Sequence, residues 1–210
     1  MTIIDHLHWR YATKKFDNSK KLSESQINIL IEAFNLTATS YGLQPLKMLV
    51  ISNQELKKQL QEHAYNQQQV STCSHLLVIC IKTDVDANYV DKKFDLEKEV
   101  RGIDESAISD FRGFLKNVVD TKSSADLELA AKHQSYIALG NLMTVCALEK
   151  IDSCPMEGFV AEKFDEVLDL KSYSLKSALL LPVGFRASDD FMSQLKKVRL
   201  PLTESIIEIK

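Results

Sequence analysis

The stretch "SSADLELAAKHQSYIALGNLMTVCALEK", Ser123 to Lys150, is the longest helical pattern in the chain. From Tyr136 to Leu148 it is apolar nearly all round, not along one stripe. A surface helix needs only a stripe, whereas an apolar circumference has to be covered on every side. The segment therefore reads as a central buried helix around which the rest of the chain folds. Gly140 inside it lets another backbone come close.

What can cover that helix is legible in outline. "HLLVICIKT" is a continuous apolar, β-branched run, as expected of a strand covered on both faces. "LKSALLLPVGF" reads as a second buried strand and "LKMLVIS" as a third. "LSESQINILIEAFNLTA" is a helix with Ser23 and Gln26 in capping-box spacing and Ile27, Leu30, Ile31 and Phe34 on one face. "NQELKKQLQEHA" and "AEKFDEVLDL" are short amphipathic helices. The charge-rich stretch 84–121 reads as helices with an excursion between them. The tail ends in "SIIEIK", a β-prone segment that needs a sheet edge to pair with. Helices and strands mix without a βαβ rhythm, so the expected class is α+β.

A chain of 210 residues is long enough to bury a core without disulfides, and the expectation is one domain spanning 1–210. The formal net charge of −3 carries no basic excess, so no nucleic-acid partner is expected. Cys73, Cys80, Cys146 and Cys154 form no C-x-x-C pair and stand at no metal-ligand spacing. They read as reduced thiols of a cytoplasmic protein. The start "MTIIDHLHWRYATKKF" is too polar for a signal core, and the longest apolar runs are too short to span a bilayer, so no membrane partner is expected.

No G-x-G-x-x-G, Walker A, G-x-S-x-G or H-E-x-x-H pattern is present. The positive signals are weaker and scattered. "RYATKKF" sets Arg10 and Lys14 four apart, and "KKVRLP" alternates Lys197 and Arg199 on one face of an extended segment. Either cluster could pair with a phosphate or be a solvated surface run. "TATSYGLQP" places hydroxyls, Gly42 and Gln44 in one helix-to-strand loop, and "AYNQQQ" gathers amides. "IDSCPMEGF" brings Cys154, Pro155, Glu157 and Gly158 together.

In order and spacing these segments resemble the FMN-dependent nitroreductase family, near the bacterial oxygen-insensitive NAD(P)H nitroreductases and dihydropteridine reductases. The resemblance runs from "RYATKKFD" through "SYGLQP", "YNQQQV", "IDSCPMEGF" and "LPVGFR" to "KKVRLP". It implies a mostly antiparallel sheet flanked by helices, in an interlocked homodimer whose C-terminal strands exchange. Two FMN sites would lie at the interface, with NAD(P)H as co-substrate. Arg10, Lys197 and Arg199 match the phosphate grip, Tyr11 and Ala12 the adjoining backbone, and Lys14 the lysine at the flavin's pyrimidine edge. Ala38, Thr39 and Ser40 match the loop supplied by the other subunit, and Asn66 an amide on the ribityl side. Pro155, Met156, Glu157 and Gly158 match the segment against the ring, with the Glu157 amide meeting flavin N5.

There are departures. Ala12 stands where the family often has serine, Leu46 where tryptophan is common, and Gln69 where some relatives have lysine. Tyr41, Arg101, Phe111 and Phe114 are candidate substrate-mouth residues. The implied reaction is a ping-pong hydride relay to a small-molecule acceptor: a nitroaromatic, quinone or pteridine. Lys14 and Glu157 tune the flavin, with no obligatory side-chain acid or base. A flavin reductase, a dehalogenase or a non-catalytic flavin-binding redox sensor are the alternatives on the same fold. Cys154, with no cation or base among its sequence neighbours, is expected to play no direct part.

Overall fold

The computed structural model describes residues 1–210. Along the chain run α1 (Ile3–Trp9), α2 (Glu24–Asn35), β1 (Leu46–Ile51), α3 (Gln54–Glu62), the single turn α4 (Gln69–Thr72) and β2 (His75–Lys82). Then come α5 (Ala87–Arg101), α6 (Ser109–Thr121), α7 (Ser124–Leu148), β3 (Asp152–Ser153), α8 (Ala161–Val167), β4 (Leu175–Gly184) and the single turn α9 (Leu202–Ser205). The strands form one antiparallel sheet in the order β1-β2-β4-β3. The class is α+β, as expected.

The unbroken apolar run of β2 has a direct cause. Successive side chains alternate between faces. Leu76, Val78 and Cys80 join Leu60 of α3 and Phe164 of α8 in one core, while Leu77 and Ile79 join Leu30 of α2 and Leu142 and Cys146 of α7 in another. Both faces are dry, so no position can be polar. Each fully buried leucine, isoleucine or valine contributes about 1.5–3 kcal/mol, and Leu76 to Cys80 are all without exposure. β4 repeats the pattern, with Leu180 in the first core and Leu179, Leu181 and Val183 in the second. A smaller cluster of Val90, Phe94, Ile108, Leu115 and Val119 holds α5 against α6.

Local signals set several boundaries. Ser23 caps α2 by accepting from the Gln26 amide, and the Gln26 side chain returns the bond. Asn53, Asp86 and Ser123 cap α3, α5 and α7 in the same way with one side-chain bond each. Gly102 ends α5 in a left-handed conformation, φ 62°, which costs glycine nothing.

Two expectations need correction, and within one chain the tail pairs with no sheet edge. The central helix α7 is not buried all round within the chain. Its Ala131, Ala138, Leu142 and Cys146 side lies on the sheet and α2, but Leu129, Tyr136, Ile137 and Leu148 are exposed. No group of the chain lies within 4 Å of a methyl placed on Gly140. Ile31 of α2 is 43% exposed, because that helix meets α7 and the sheet along the narrower stripe of Ile27, Leu30 and Phe34. The tail "SIIEIK" forms no strand within the chain, and Ile207 and Ile209 stand free of cover. The sheet also gains β3, which was not foreseen because two residues are too few to show a period.

Candidate functional site

α1 stops at Trp9 because Arg10 turns extended, with φ −70° and ψ 144°. The next residues run beside β3: Ala12 bridges Ser153 in parallel, and the Thr13 amide donates to the Ser153 carbonyl at 3.2 Å. The C-terminal segment returns to the same place, where the Lys197 ammonium donates to the Arg10 carbonyl. Arg10, Lys197 and Arg199 thus line one cavity of about 460 Å³. Arg186 and Lys196 line it too, and no carboxylate does. The Arg10 guanidinium reaches the Met143 sulfur at 3.8 Å, and its Nε is buried with no partner. Burial lowers the pKa of Arg10, and nearby Arg199 lowers it further. Lys197 is lowered by burial and then by Arg10 and Arg199. Clustered cations with an orphaned donor form a site for an anion.

Beside the cavity, Asp190 is almost fully buried and ties the 10–15 segment down. It accepts from the Tyr11 hydroxyl at 3.1 Å, the Lys14 amide at 2.9 Å and the Lys15 amide at 3.4 Å. The Tyr11 phenol is pushed up to about 12, chiefly by burial. Lys14 then projects its ammonium to 3.7 Å from the Cys154 sulfur.

"IDSCPMEGF" is a ribbon along β4. Asp152 pairs with Gly184 and Ser153 with Val183; the Cys154 amide donates to Pro182 at 3.1 Å, and Met156 exchanges bonds with Leu180 at 2.9 and 3.0 Å. Past Met156 the pairing stops. The Glu157 amide donates to no group of the chain, whereas the Gly158 carbonyl accepts from Gln67 at 2.7 Å. The Glu157 carboxylate lies beside the Tyr136 hydroxyl of α7, whose titration is raised by burial and then by Glu157. Cys154 has a cation neighbour after all, brought from 140 positions away. Burial still pushes its thiol up more than Lys14 pulls it down, so it stays protonated at neutral pH. Cys154→Ser is accordingly expected to keep at least about half of the wild-type activity; a loss beyond about a hundredfold, the scale of a removed acid–base group, would contradict this.

The remaining candidates fall elsewhere. Thr39 accepts from the Gln44 amide at 2.9 Å, and the Ser40 amide donates to Gln134 at 2.9 Å, which fixes the exposed loop carrying Ala38. Tyr41 meets Phe111 edge-on at 6.2 Å between centroids, and Phe111 stacks on Phe114 at 6.1 Å. These three form an exposed aromatic patch. No hydrogen bond, ion pair or ring contact joins this patch to the basic cavity within the chain. Arg101 pairs with Glu97 one turn back on α5. Asn66, at φ 54°, sits in a left-handed turn with its amide donating to Gln61 at 3.1 Å. Gln69 is buried and donates to Gln67 at 3.0 Å, so it is held by the chain itself.

Residues 7–185 match the Nitroreductase family. The chain belongs to the nitroreductase family. A candidate NAD(P)H nitroreductase of Staphylococcus epidermidis is 35% identical over 197 residues, covering 90% of this chain and 89% of that one. A second, YfkO of Bacillus subtilis, is 33% identical over 198 residues, covering 89% and 90%. Among solved structures, a candidate NAD(P)H:FMN oxidoreductase of Staphylococcus epidermidis superposes with a TM-score of 0.87 at 19% identity, covering 99% of this chain and 96% of that one. A candidate nitroreductase of Exiguobacterium sibiricum, solved in complex with FMN, superposes at 0.83 and 19%, covering 100% and 98%. The structural likenesses establish the fold.

Within this family member, several residues of the site escaped sequence reading. Asp190 and the pair Asp152–Arg186 had no local pattern, since their partners lie 34 to 179 positions away. Met143 read only as core. The one available hint was the acidic run in "RASDDF", which by itself is a surface motif.

Proposed function

We propose that the chain is an FMN-dependent NAD(P)H oxidoreductase that passes electrons to a small-molecule acceptor: a nitroaromatic, quinone or pteridine. The observation that carries this reading is the carboxylate-free basic cavity with the unpartnered, buried Arg10 Nε. That donor set fits the phosphate of FMN. Arg10, Lys197 and Arg199 would hold it, with Tyr11 and Ala12 forming the adjoining wall. When bound, FMN supplies two-electron transfer between the nicotinamide and the acceptor, which no side chain here can do.

The chain's own part is placement and charge. Asp190 holds the Lys14 backbone so that its ammonium stands at the ribbon. Cys154 and Met156 keep the ribbon that carries Pro155 against β4, and the Glu157 amide is left as a free donor. Gly158 leaves space at the turn, where a methyl would come within 3.3 Å of Gln67. Asn66 would supply an amide on the ribityl side of the flavin. Lys14→Met is expected to lower the reduction potential of the bound flavin by about 30 mV, equivalent to about 1.4 kcal/mol for a two-electron couple, because a cation near the reduced ring is lost. A potential unchanged in a variant with full flavin content would remove Lys14 from that role.

The active form is proposed to be a homodimer. The exposed apolar side of α7, the open space at Gly140 and the unpaired tail each lack a partner within one chain. A second copy would supply cover for all three, and would bring Ala38, Thr39, Ser40 and the aromatic patch of Tyr41, Phe111 and Phe114 to the first chain's cavity. Arg101, tied to Glu97, would have to exchange that partner to touch a nucleotide. No helix of the chain is long and apolar enough to cross a membrane. All four cysteines are free and buried, which suits a reducing cytoplasm.

The decisive experiment is an absorbance spectrum of the purified protein followed by anaerobic titration with NADH and NADPH. Flavin bands bleached by either nucleotide, in a particle of two chains, are the expected result. Colourless protein that does not take up added FMN would overturn the reading. Bound FMN that neither nucleotide reduces would turn it toward a redox sensor.

A further inference from the structure

We infer that Arg186 is the positioning residue that aims Arg10 into the basic cavity, by gripping the side chains on both sides of it in sequence. The inference rests on the proposed FMN reading for the identity of the anion. The Arg186 guanidinium carbon lies 4.4 Å from the centre of the Trp9 ring and 4.5 Å from that of Tyr11. Arg10 is extended and stands between these two residues, so the clamp fixes the chain on both sides of it. A clamp on Trp9 and Tyr11 therefore determines where Arg10 points. Its own guanidinium ends at Met143 with Nε buried and free, and no carboxylate holds it there.

Arg186 is itself held from three directions. Its Nε donates to Asp152 Oδ1 at 2.7 Å, its Nη2 stands 2.6 Å from the same oxygen as an ion pair without making a hydrogen bond, and its amide donates to Asp152 Oδ2 at 2.8 Å. Asp152 is buried and sits in β3, the strand that leads into the ribbon. The flanking backbone pairs with the 15–17 segment: the Asp17 amide donates to Phe185 at 2.8 Å and the Ala187 amide to Lys15 at 2.9 Å. Lys150 caps the Trp9 ring at 4.6 Å. The clamp thus ties the end of α1, the start of the ribbon and the end of β4 into one unit.

The chemistry separates this role from direct binding. The Asp152 carboxylate accepts from Arg186 Nε, pairs with Nη2 and balances the guanidinium charge, which leaves phosphate attraction to Arg10, Lys197 and Arg199. A planar guanidinium can bond the carboxylate from its Nε while its faces lie against two aromatic rings, a geometry that the point charge of an ammonium does not reproduce. Lysine at 186 should therefore fail to substitute, although it keeps the charge.

The test uses the full-length protein stripped of flavin and re-titrated with FMN and, separately, with riboflavin, which lacks the phosphate. For Arg186→Gln and Arg186→Lys, the FMN Kd should rise about tenfold, while riboflavin affinity stays within about twofold of wild type. The double variant Arg10→Gln/Arg186→Gln should bind FMN no more weakly than Arg10→Gln alone, because the second change acts only through the first. Asp152→Asn, which keeps the shape of the carboxylate and loses its charge, should show the same FMN-selective weakening. It serves as the test if the Arg186 variants do not fold. An unchanged FMN Kd, equal weakening toward both flavins, or additive losses in the double variant would each overturn the inference. Wild-type protein that binds neither flavin would refute the FMN reading itself, a result distinct from these.

Discussion

Arg10→Gln is expected to weaken FMN binding by about 10- to 150-fold, the equivalent of the 1.5–3 kcal/mol that a hydrogen bond to a charged group contributes. Glutamine keeps a donor but removes the charge and the fork. Lys197 and Arg199 remain, and the Lys197 bond is to the residue-10 carbonyl, which the substitution leaves in place. Binding is therefore weakened, not abolished. The flavin-free protein should behave in the opposite sense. Arg10 is partly buried, lacks a carboxylate and is disfavoured by Arg199, so its removal should leave the apoprotein melting temperature unchanged or higher. Flavin titration and a thermal melt of the apoprotein check the two halves. An FMN Kd within about twofold of wild type would remove Arg10 from the phosphate grip.

Gly184→Ala should have the largest effect on the fold. A methyl there would come 2.9 Å from the Ser74 amide nitrogen, 3.1 Å from the Phe16 ring and 3.3 Å from the Ser74 Cβ. The nearest of these is backbone and has little freedom to move. The fully buried Lys57 donates to the carbonyls of Cys73 and Ser74, and the adjacent His75 pairs with Val183. The Ser74 hydroxyl also accepts from the Leu22 amide at 2.8 Å. The cost is steric, because the clash falls inside the sheet where two strands and Phe16 meet. Overpacking of this kind costs about 1–3 kcal/mol, which lowers Tm by about 2–12 °C for a chain of this size. Gly184 also pairs with Asp152, so flavin retention should fall together with stability. A melting temperature within about 1 °C of wild type would show that Ser74 gives way.

The parts of the fold that were legible are those written in a short window. β2 and β4 announce themselves because both faces are dry and the runs Leu76–Ile81 and Ala178–Val183 are apolar throughout. α2 announces itself because Ser23 and Gln26 close a capping box before an apolar stripe. β3 could not be read, since a two-residue strand exists only through its partner β4. Ile31 was misjudged because periodicity marks a face without telling how wide the covered stripe is. The exposed side of α7 shows the same limit from the other direction: a helix apolar all round says that cover is needed and does not say which molecule provides it.

At the site, the residues alone left the clusters of Arg10 and Lys14 and of Lys197 and Arg199 open between phosphate ligands and solvated charge, and the family resemblance is what nominated them. That Arg10, Lys197 and Arg199 line one cavity without a carboxylate is a tertiary result, since 187 positions separate Arg10 from Lys197. The same holds for Lys14 against Cys154, for Asp190 beneath the 11–15 backbone, and for Arg186 between Trp9 and Tyr11. The sequence by itself determined which segments must be buried and which side chains can carry charge, through local spacing and side-chain chemistry. Only the tertiary structure decided which of those charges meet, which are neutralised and which donor is left free, because those depend on distances between segments that no local pattern encodes.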